Sequence, residues 1–414
     1  MKTVDPHTGR GAPIERFPRR LRQSQASLAD WPEPDATARQ HSLHLIEAIR
    51  EQIAAAGGAI PFHDYMQAAL YTPGLGYYAA GSSKFGAAGD FVTAPEISSL
   101  FAECLAEALS PVLTSRPQWD LLEAGAGSGI LAARLLQDWQ VQDCLPRHYY
   151  ILELSGDLRE RQRQQIEQHC PELLPRVQWL QNWPTDFNGV VLANELLDAM
   201  PVHRVHKREG RWYEQTVGFE RDGFVNGEQL LTNESLQHHL AAIEQPQPLP
   251  DDYLSEINLD AAQWIASLGE QMQQGIVLLL DYGYPRHEYY HPQRQRGTLM
   301  CHYRHRAHDD PFVYPGLQDI TAHVDFTHVA DSALAAGFGV AGYTTQAHFL
   351  LDAGLMQRLE QYGGDEADYL QRSNEVKRLT LPQEMGEIFK VMLLNKGSEV
   401  LPKGFSGCDL RHQL

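Results

Sequence analysis

The 414-residue chain has no run of about 18 uninterrupted apolar residues, so no membrane-spanning helix is expected. Its opening, "MKTVDPHTGRGAPIERFPRR", lacks the apolar core of a secretory signal. The first thirty residues carry six Arg or Lys against three acids, but without amphipathic period, so residues 1–35 read as a flexible arm rather than a transit peptide. Cysteine is scarce. Cys104, Cys144, Cys170, Cys301 and Cys408 are odd in number and contain no Cys-x-x-Cys pair, which argues against a disulfide framework or a structural zinc site and suits a reducing compartment. Positive charge is also short: 34 Lys and Arg against 53 Asp and Glu leave a formal charge of -19, which repels phosphate backbones and disfavours nucleic acid as a partner.

Two phosphate-binding signatures are incomplete. In "LLEAGAGSGI", residues 121–130, the dinucleotide pattern G-x-G-x-x-G fails because the third position after Gly125 and Gly127 is Ile130. Gly81 and Gly86 have Walker A spacing, but Ala87 and Ala88 stand where lysine and a hydroxyl are needed.

What is present is a βαβ rhythm. "WDLLEAG", "HYYILELS", "RVQWL", "GVVLANE" and "GIVLLLDYG" are apolar runs separated by helical stretches, as in a parallel sheet covered on both faces. Leu43, Leu45, Ile46, Ile49 and Ile53 predict a helix before Gly57 and Gly58, and "PFHDYMQAALY" predicts a second. Residues 36–98 therefore read as N-terminal helices plus a Gly- and Tyr-rich loop, 99–227 as the first part of an α/β core, 228–272 as a helical insertion, 273–400 as the rest of the core and 401–414 as a tail. Glu209-Gly210 predicts a hairpin turn.

The glycine turn has the form E-x-G-x-G-x-G. Glu123 ends its strand where an anionic pyrophosphate would be repelled and a cationic amino group stabilised, and Glu153 closes the next strand where a carboxylate can accept both ribose hydroxyls. The expected cofactor is S-adenosylmethionine, and no metal is expected: His302, His305 and His308 with Asp309 and Asp310 do not have zinc-ligand spacing.

The phrases "GYYAAGSSKFGAAGDFVTAPEIS", "LLEAGAGSG", "ILELS", "LANELLDAMPVHR", "LLLDYGY" and "GLQDITAHVDF" occur here in the order found in the MidA-like class I methyltransferases, which the chain resembles from about Ile60 to Leu351. Mitochondrial members of that family assist assembly of respiratory complex I by methylating an arginine of one subunit. The resemblance implies a Rossmann-like α/β fold: a seven-stranded, mostly parallel sheet, helices on both faces and an added helical region. It implies that Gly125, Gly127 and Gly129 with Glu123 hold the methionyl end of the cofactor, that Glu153 holds its ribose, and that Gly89 and Asp90 close over it. Asn182 and Trp183 fall where similar folds contact adenine, although Trp183 can equally be a packing residue. Asn194 and Glu195 fall at the methyl group. The partner implied is a protein presenting an arginine, a respiratory-complex subunit among the candidates, in the cytoplasm or, in a eukaryote, the mitochondrial matrix.

A guanidinium stays protonated, so its methylation needs carboxylates to localise charge and accept a proton. Glu195 is the first candidate and Asp325 the second. Asp198, one helical turn on, is either a third partner or a cap for the "ELLDAM" helix. His323 can relay a proton or be structural. If "DITAHVDF" is a strand, Asp319, Thr321, His323 and Asp325 share a face. Tyr77 and Tyr78 either line a substrate channel or anchor their loop. Methylation of a small molecule or another side chain, and a non-catalytic assembly factor built on the same fold, remain as alternatives.

Overall fold

The computed structural model describes residues 32–80, 93–221, 223–361 and 366–414. Its main sheet is built from β1 (Asp120–Ala124), β2 (Tyr149–Leu152), β3 (Val177–Leu180), β4 (Phe187–Asn194), β5 (Met272–Tyr284), β6 (Gly339–Thr345) and β7 (Phe389–Lys396), in the order β6-β7-β5-β4-β1-β2-β3. The five strands from β3 to β5 in this order are parallel, and β7 runs antiparallel to both its neighbours. An eighth short strand, Val324–Asp325, pairs parallel with the end of β5. The expected seven-stranded, mostly parallel sheet is present.

Strand side chains alternate between two apolar layers, as period-2 geometry requires. Leu121, Val190, Leu192, Ile276, Leu278 and Leu280 pack toward helices Ser99–Ser115 and Ile130–Val141. Leu122, Val191, Ala193, Val277 and Leu279 pack toward helices Leu259–Gln271 and Phe326–Ala335. Burial on both faces is why these strands read as unbroken apolar runs. The chain leaves β1 toward β2 and β3, then returns across to β4, so a topological switch point lies between the carboxyl ends of β1 and β4, where such sheets take ligands.

A second, antiparallel sheet holds Ala59–Pro61, Arg211–Glu220, His203–Arg208 and Tyr253–Ile257, with Gly223–Leu230 paired to Arg211–Glu220. The Glu209-Gly210 hairpin is present, with positive φ at both residues. The segment expected to be helical over 228–272 has helices at Glu234–Glu244 and Leu259–Gln271, but strand residues at both 228–230 and 253–257. Its strand was hidden by polar residues that belong inside: Ser255 and Glu256 are buried, and Glu256 accepts from the Thr298 amide at 2.7 Å and pairs with Arg204. The N-terminal helices Ala36–Ala55 and Phe62–Tyr71 pack on this sheet in a separate apolar cluster with Val217, Phe224 and Ile320.

Candidate active site

Three adjacent strand ends build the site. The amides of Gly125, Glu153 and Glu195, each just past its strand, still donate to the next strand: to Leu152 at 3.2 Å, Leu180 at 3.2 Å and Leu280 at 2.8 Å. The turn behind β1 takes positive φ at Gly125, Gly127 and Gly129 (69°, 51° and 86°), a conformation costly for side-chain-bearing residues. At Gly129 a Cβ would lie 2.7 Å from Gln162 Cα, and at Gly125 one would lie 2.9 Å from Leu196 Cδ1. The turn is thus a bare backbone surface opening a helix N-terminus at Ile130.

Glu153 is fixed by the Ser155 amide at 2.9 Å and the Gln162 amide nitrogen at 3.1 Å, and burial raises its pKa. These bonds use part of its acceptor capacity and leave the carboxylate able to take hydroxyl donors. Glu123 is placed differently. It lies 2% exposed beneath the turn, accepts from the Tyr149 hydroxyl at 2.7 Å, and is pushed up to about 7 by burial. Its carboxyl turns to Tyr149 of the neighbouring strand in the protein interior. The short helix Ala94–Ile97 closes the other side: Ser128 donates to Glu96, and the Ala94 amide to Glu195 at 3.4 Å.

The mouth of β4 is acidic. Glu195 has φ 51° and accepts from Asn194 Nδ2 at 3.2 Å. Protein surrounds it, yet it keeps some accessible surface, as a cavity wall does. Burial, with the Asp198 carboxylate adding to it, pushes Glu195 up to about 8. Asp198 is 6% exposed and raised by burial to about 6. The Tyr282 hydroxyl is its partner, and its Oδ1 has no hydrogen-bond donor. Asp281, at the end of the β5 apolar run, accepts from the Leu197 amide at 2.9 Å and the Asp198 amide at 3.3 Å. Burial and the Asp198 and Glu195 charges raise it well above the carboxylate range. Asp319 accepts from the Tyr78 hydroxyl at 2.8 Å, and Tyr71 stacks on Tyr78 with 5.5 Å between ring centroids. Among the described residues no Lys, Arg or His forms an ion pair with Glu195, Asp198 or Asp281.

Other expected site residues lie elsewhere. Strand geometry ends at Thr321, so the shared face expected for Asp319, Thr321, His323 and Asp325 is broken. Asp325 is the N-cap of helix Phe326–Ala335, accepting from the Thr327 and His328 amides at 3.0 and 3.1 Å, with Arg286 at 3.6 Å. It pairs with Tyr284, four residues beyond the Leu280 that faces Asn194 and so three beyond the level of Glu195, which places it about 10 Å further along β5 than Glu195. The structure therefore does not bring Asp325 to Glu195. His323 stacks on Tyr284 at 5.3 Å and meets Tyr282 edge-on at 4.9 Å, and burial lowers it to about 4. Asp198 starts no regular helix. Trp183 packs against Trp264 at 5.3 Å, beside an exposed Asn182. Gly89 and Asp90 lie outside the described residues.

Comparison with known proteins agrees with this geometry. Residues 100–344 match the model of a family of S-adenosyl-L-methionine-dependent methyltransferases. The chain belongs to that MidA-like methyltransferase family. A crystal structure of a family relative from Burkholderia thailandensis, bound to S-adenosyl-homocysteine, superposes with a TM-score of 0.88 at 42% identity, covering 92% of this chain and all of that one. The Drosophila melanogaster protein named "Protein arginine methyltransferase NDUFAF7 homolog, mitochondrial" is 30% identical over 88% of each chain. The Danio rerio protein named "Protein arginine methyltransferase NDUFAF7, mitochondrial" is 27% identical over 87% of this chain and 89% of its own.

The methyltransferase uses S-adenosylmethionine, and the bare glycine turn beside a part-satisfied Glu153 fits that cofactor's backbone-hugging methionyl end and ribose diol. No helix among the described residues is long and apolar enough to cross a membrane. Sequence reading missed Gln162, which joins the glycine turn to Glu153: it is fully buried, donates to Gly127 O and Glu153 at 3.1 Å each, and accepts from Trp179 Nε1 at 2.9 Å. Nothing marks a glutamine in the polar run "RERQRQQIEQH" as a hub. Asp281 was also missed, although it too is an acid that closes an apolar run, here "GIVLLL" within β5.

Proposed function

We propose that the methyltransferase acts on an arginine side chain of a protein. The observation that carries this reading is the set of buried carboxylates, Glu195, Asp198 and Asp281, that make no ion pair among the described residues. A buried acid without a cation is costly, and here Tyr71, Tyr78 and Tyr282 line the same space instead of a basic residue. A planar cation with several N–H donors, flanked by aromatic rings, relieves that cost. The printed names of the Drosophila and Danio relatives support the same substrate class. The resemblance makes a respiratory-complex subunit the favoured target, in the cytoplasm or, in a eukaryote, the mitochondrial matrix.

When bound, the cofactor supplies a methyl group activated by a sulfonium. The rest falls to the protein. The unpartnered Asp198 Oδ1 binds one guanidinium nitrogen and draws positive charge toward it, leaving electron density on another nitrogen. Tyr282 holds Asp198 in place for this. Methylation costs that nitrogen one N–H proton, and Glu195, with a pKa near 8, is matched to accept it at neutral pH. Incubating a lysate with labelled cofactor and hydrolysing the labelled polypeptide tests the assignment. Methylarginine is expected; label confined to a small-molecule fraction or another residue overturns it.

A further inference from the structure

Beyond the acidic space, along β5, two cationic side chains and a histidine gather around one tyrosine ring. Arg294 stacks its guanidinium over Tyr284 at 4.3 Å, His323 stacks on the same ring at 5.3 Å, and Lys390 Nζ is 5.6 Å from it. Lys390 is 7% exposed, and its recorded hydrogen bond is to the Glu387 carbonyl, which occupies one of three ammonium donors. Arg294 spends its Nε on the Glu288 carbonyl at 3.3 Å. Glu288 and Glu387 are near enough to act on Lys390 electrostatically, but among the described residues no carboxylate comes within 4 Å of Lys390 or Arg294. His323 Nδ1, enclosed in the same group, also has no partner.

We infer that Arg294 and Lys390, with His323, form a subsite for a carboxylate of the polypeptide substrate, an Asp or Glu side chain close to the target arginine. This rests on the arginine reading above and adds what must stand next to that arginine. Tyr282 connects the two regions: its hydroxyl meets Asp198 and its ring meets His323. Tyr282 and Tyr284 are about 7 Å apart along the strand, close to the reach of an extended arginine side chain. A guanidinium among Glu195, Asp198 and Asp281 therefore leaves the neighbouring residue of the peptide over Tyr284. There the buried Lys390 ammonium, the half-buried Arg294 guanidinium and an unpartnered imidazole nitrogen await an acceptor, and a charge-assisted bond among partly buried groups is stronger than in open water.

The test uses paired arginine peptides that differ only in having Glu or Gln within two positions of the arginine. With the full-length wild-type enzyme, the Glu peptide is expected to show about tenfold higher kcat/KM, mostly through KM. In Arg294→Gln, and in Arg294→Gln combined with Lys390→Met, the ratio should fall toward one while calorimetric binding of S-adenosylmethionine stays as in wild type. Equal use of both peptides by the wild-type enzyme overturns the inference and leaves the arginine reading intact, as does a Glu preference that survives in the double variant. If neither peptide, nor any other arginine peptide, is methylated, the arginine reading falls and the inference with it. The wild-type comparison needs no variant to fold.

Discussion

Gln162 ties Glu153 to Gly127: one buried amide nitrogen donates to the Glu153 carboxylate and to the Gly127 carbonyl, 3.1 Å each. The acid expected at the ribose and the glycine turn expected at the methionyl end are therefore held together by a single side chain. Gln162→Ala should weaken S-adenosylmethionine binding by roughly tenfold, since both partners lose a donor that fixes their geometry. It should also cost about 1–3 kcal/mol of stability, because Trp179 Nε1 loses its acceptor. Calorimetry and thermal unfolding of the same variant separate the two effects, and unchanged affinity would remove Gln162 from the cofactor site.

The three glycines of the turn are not equivalent. Gly127→Val should abolish cofactor binding, because a branched residue at φ 51° distorts the surface the ligand must approach. Gly129→Ala should also lower the melting temperature, since its methyl group would meet Gln162 Cα at 2.7 Å. Scanning calorimetry with and without cofactor distinguishes a binding lesion from a folding lesion.

Glu195→Gln should keep cofactor affinity and lose about 10²-fold or more in kcat on an arginine peptide. In the wild-type enzyme Asp198 and Glu195 titrate near 6 and 8, so kcat/KM should climb as pH rises through that window and the carboxylates ionise. The stability change has the opposite sign. A carboxyl whose pKa is raised in the folded state holds its proton while the unfolded chain has lost it, so the wild-type protein loses stability as pH rises from the ordinary Glu range toward 8. At pH 8 the Gln variant should then melt about 1–3 °C higher than wild type while remaining inactive. Equal melting points at that pH would show that Glu195 carries no desolvation strain.

Asp325→Asn should retain turnover near wild type, because asparagine also caps helices and the residue lies far along β5 from Glu195. Asp325→Ala should lower stability by about 1–2 kcal/mol. A large kcat loss in the Asn variant would return Asp325 to the chemistry.

Much of the fold was readable because parallel strands buried on both faces announce themselves as apolar runs, and "LLEAG", "GVVLANE" and "GIVLLLDYG" each became a central strand. Glu153 and Glu195 were readable for a related reason, as acids ending such runs. In the second sheet the Glu209-Gly210 hairpin was readable, but the strand Tyr253–Ile257 was hidden because it carries buried polar residues such as Glu256, paired with Arg204, which local periodicity reads as surface. Asp325 looked catalytic because alternation in "DITAHVDF" implied one continuous strand; the chain leaves strand geometry at Ala322 and re-enters beside β5. Gln162 acts through tertiary contacts alone, and no local pattern encodes those.

The pairing of Ala59–Pro61 with Thr216–Gly218 also constrains how the chain is made. On the ribosome the N-terminal helices and the short strand between them emerge with their apolar residues, including Ile60, Tyr65 and Leu70, long before the strand that covers them has been synthesised. Tyr71 and Tyr78, which line the proposed acceptor space, belong to this waiting segment. The nascent enzyme can thus complete its glycine turn early but cannot enclose an acceptor until the antiparallel sheet has closed on its own beginning.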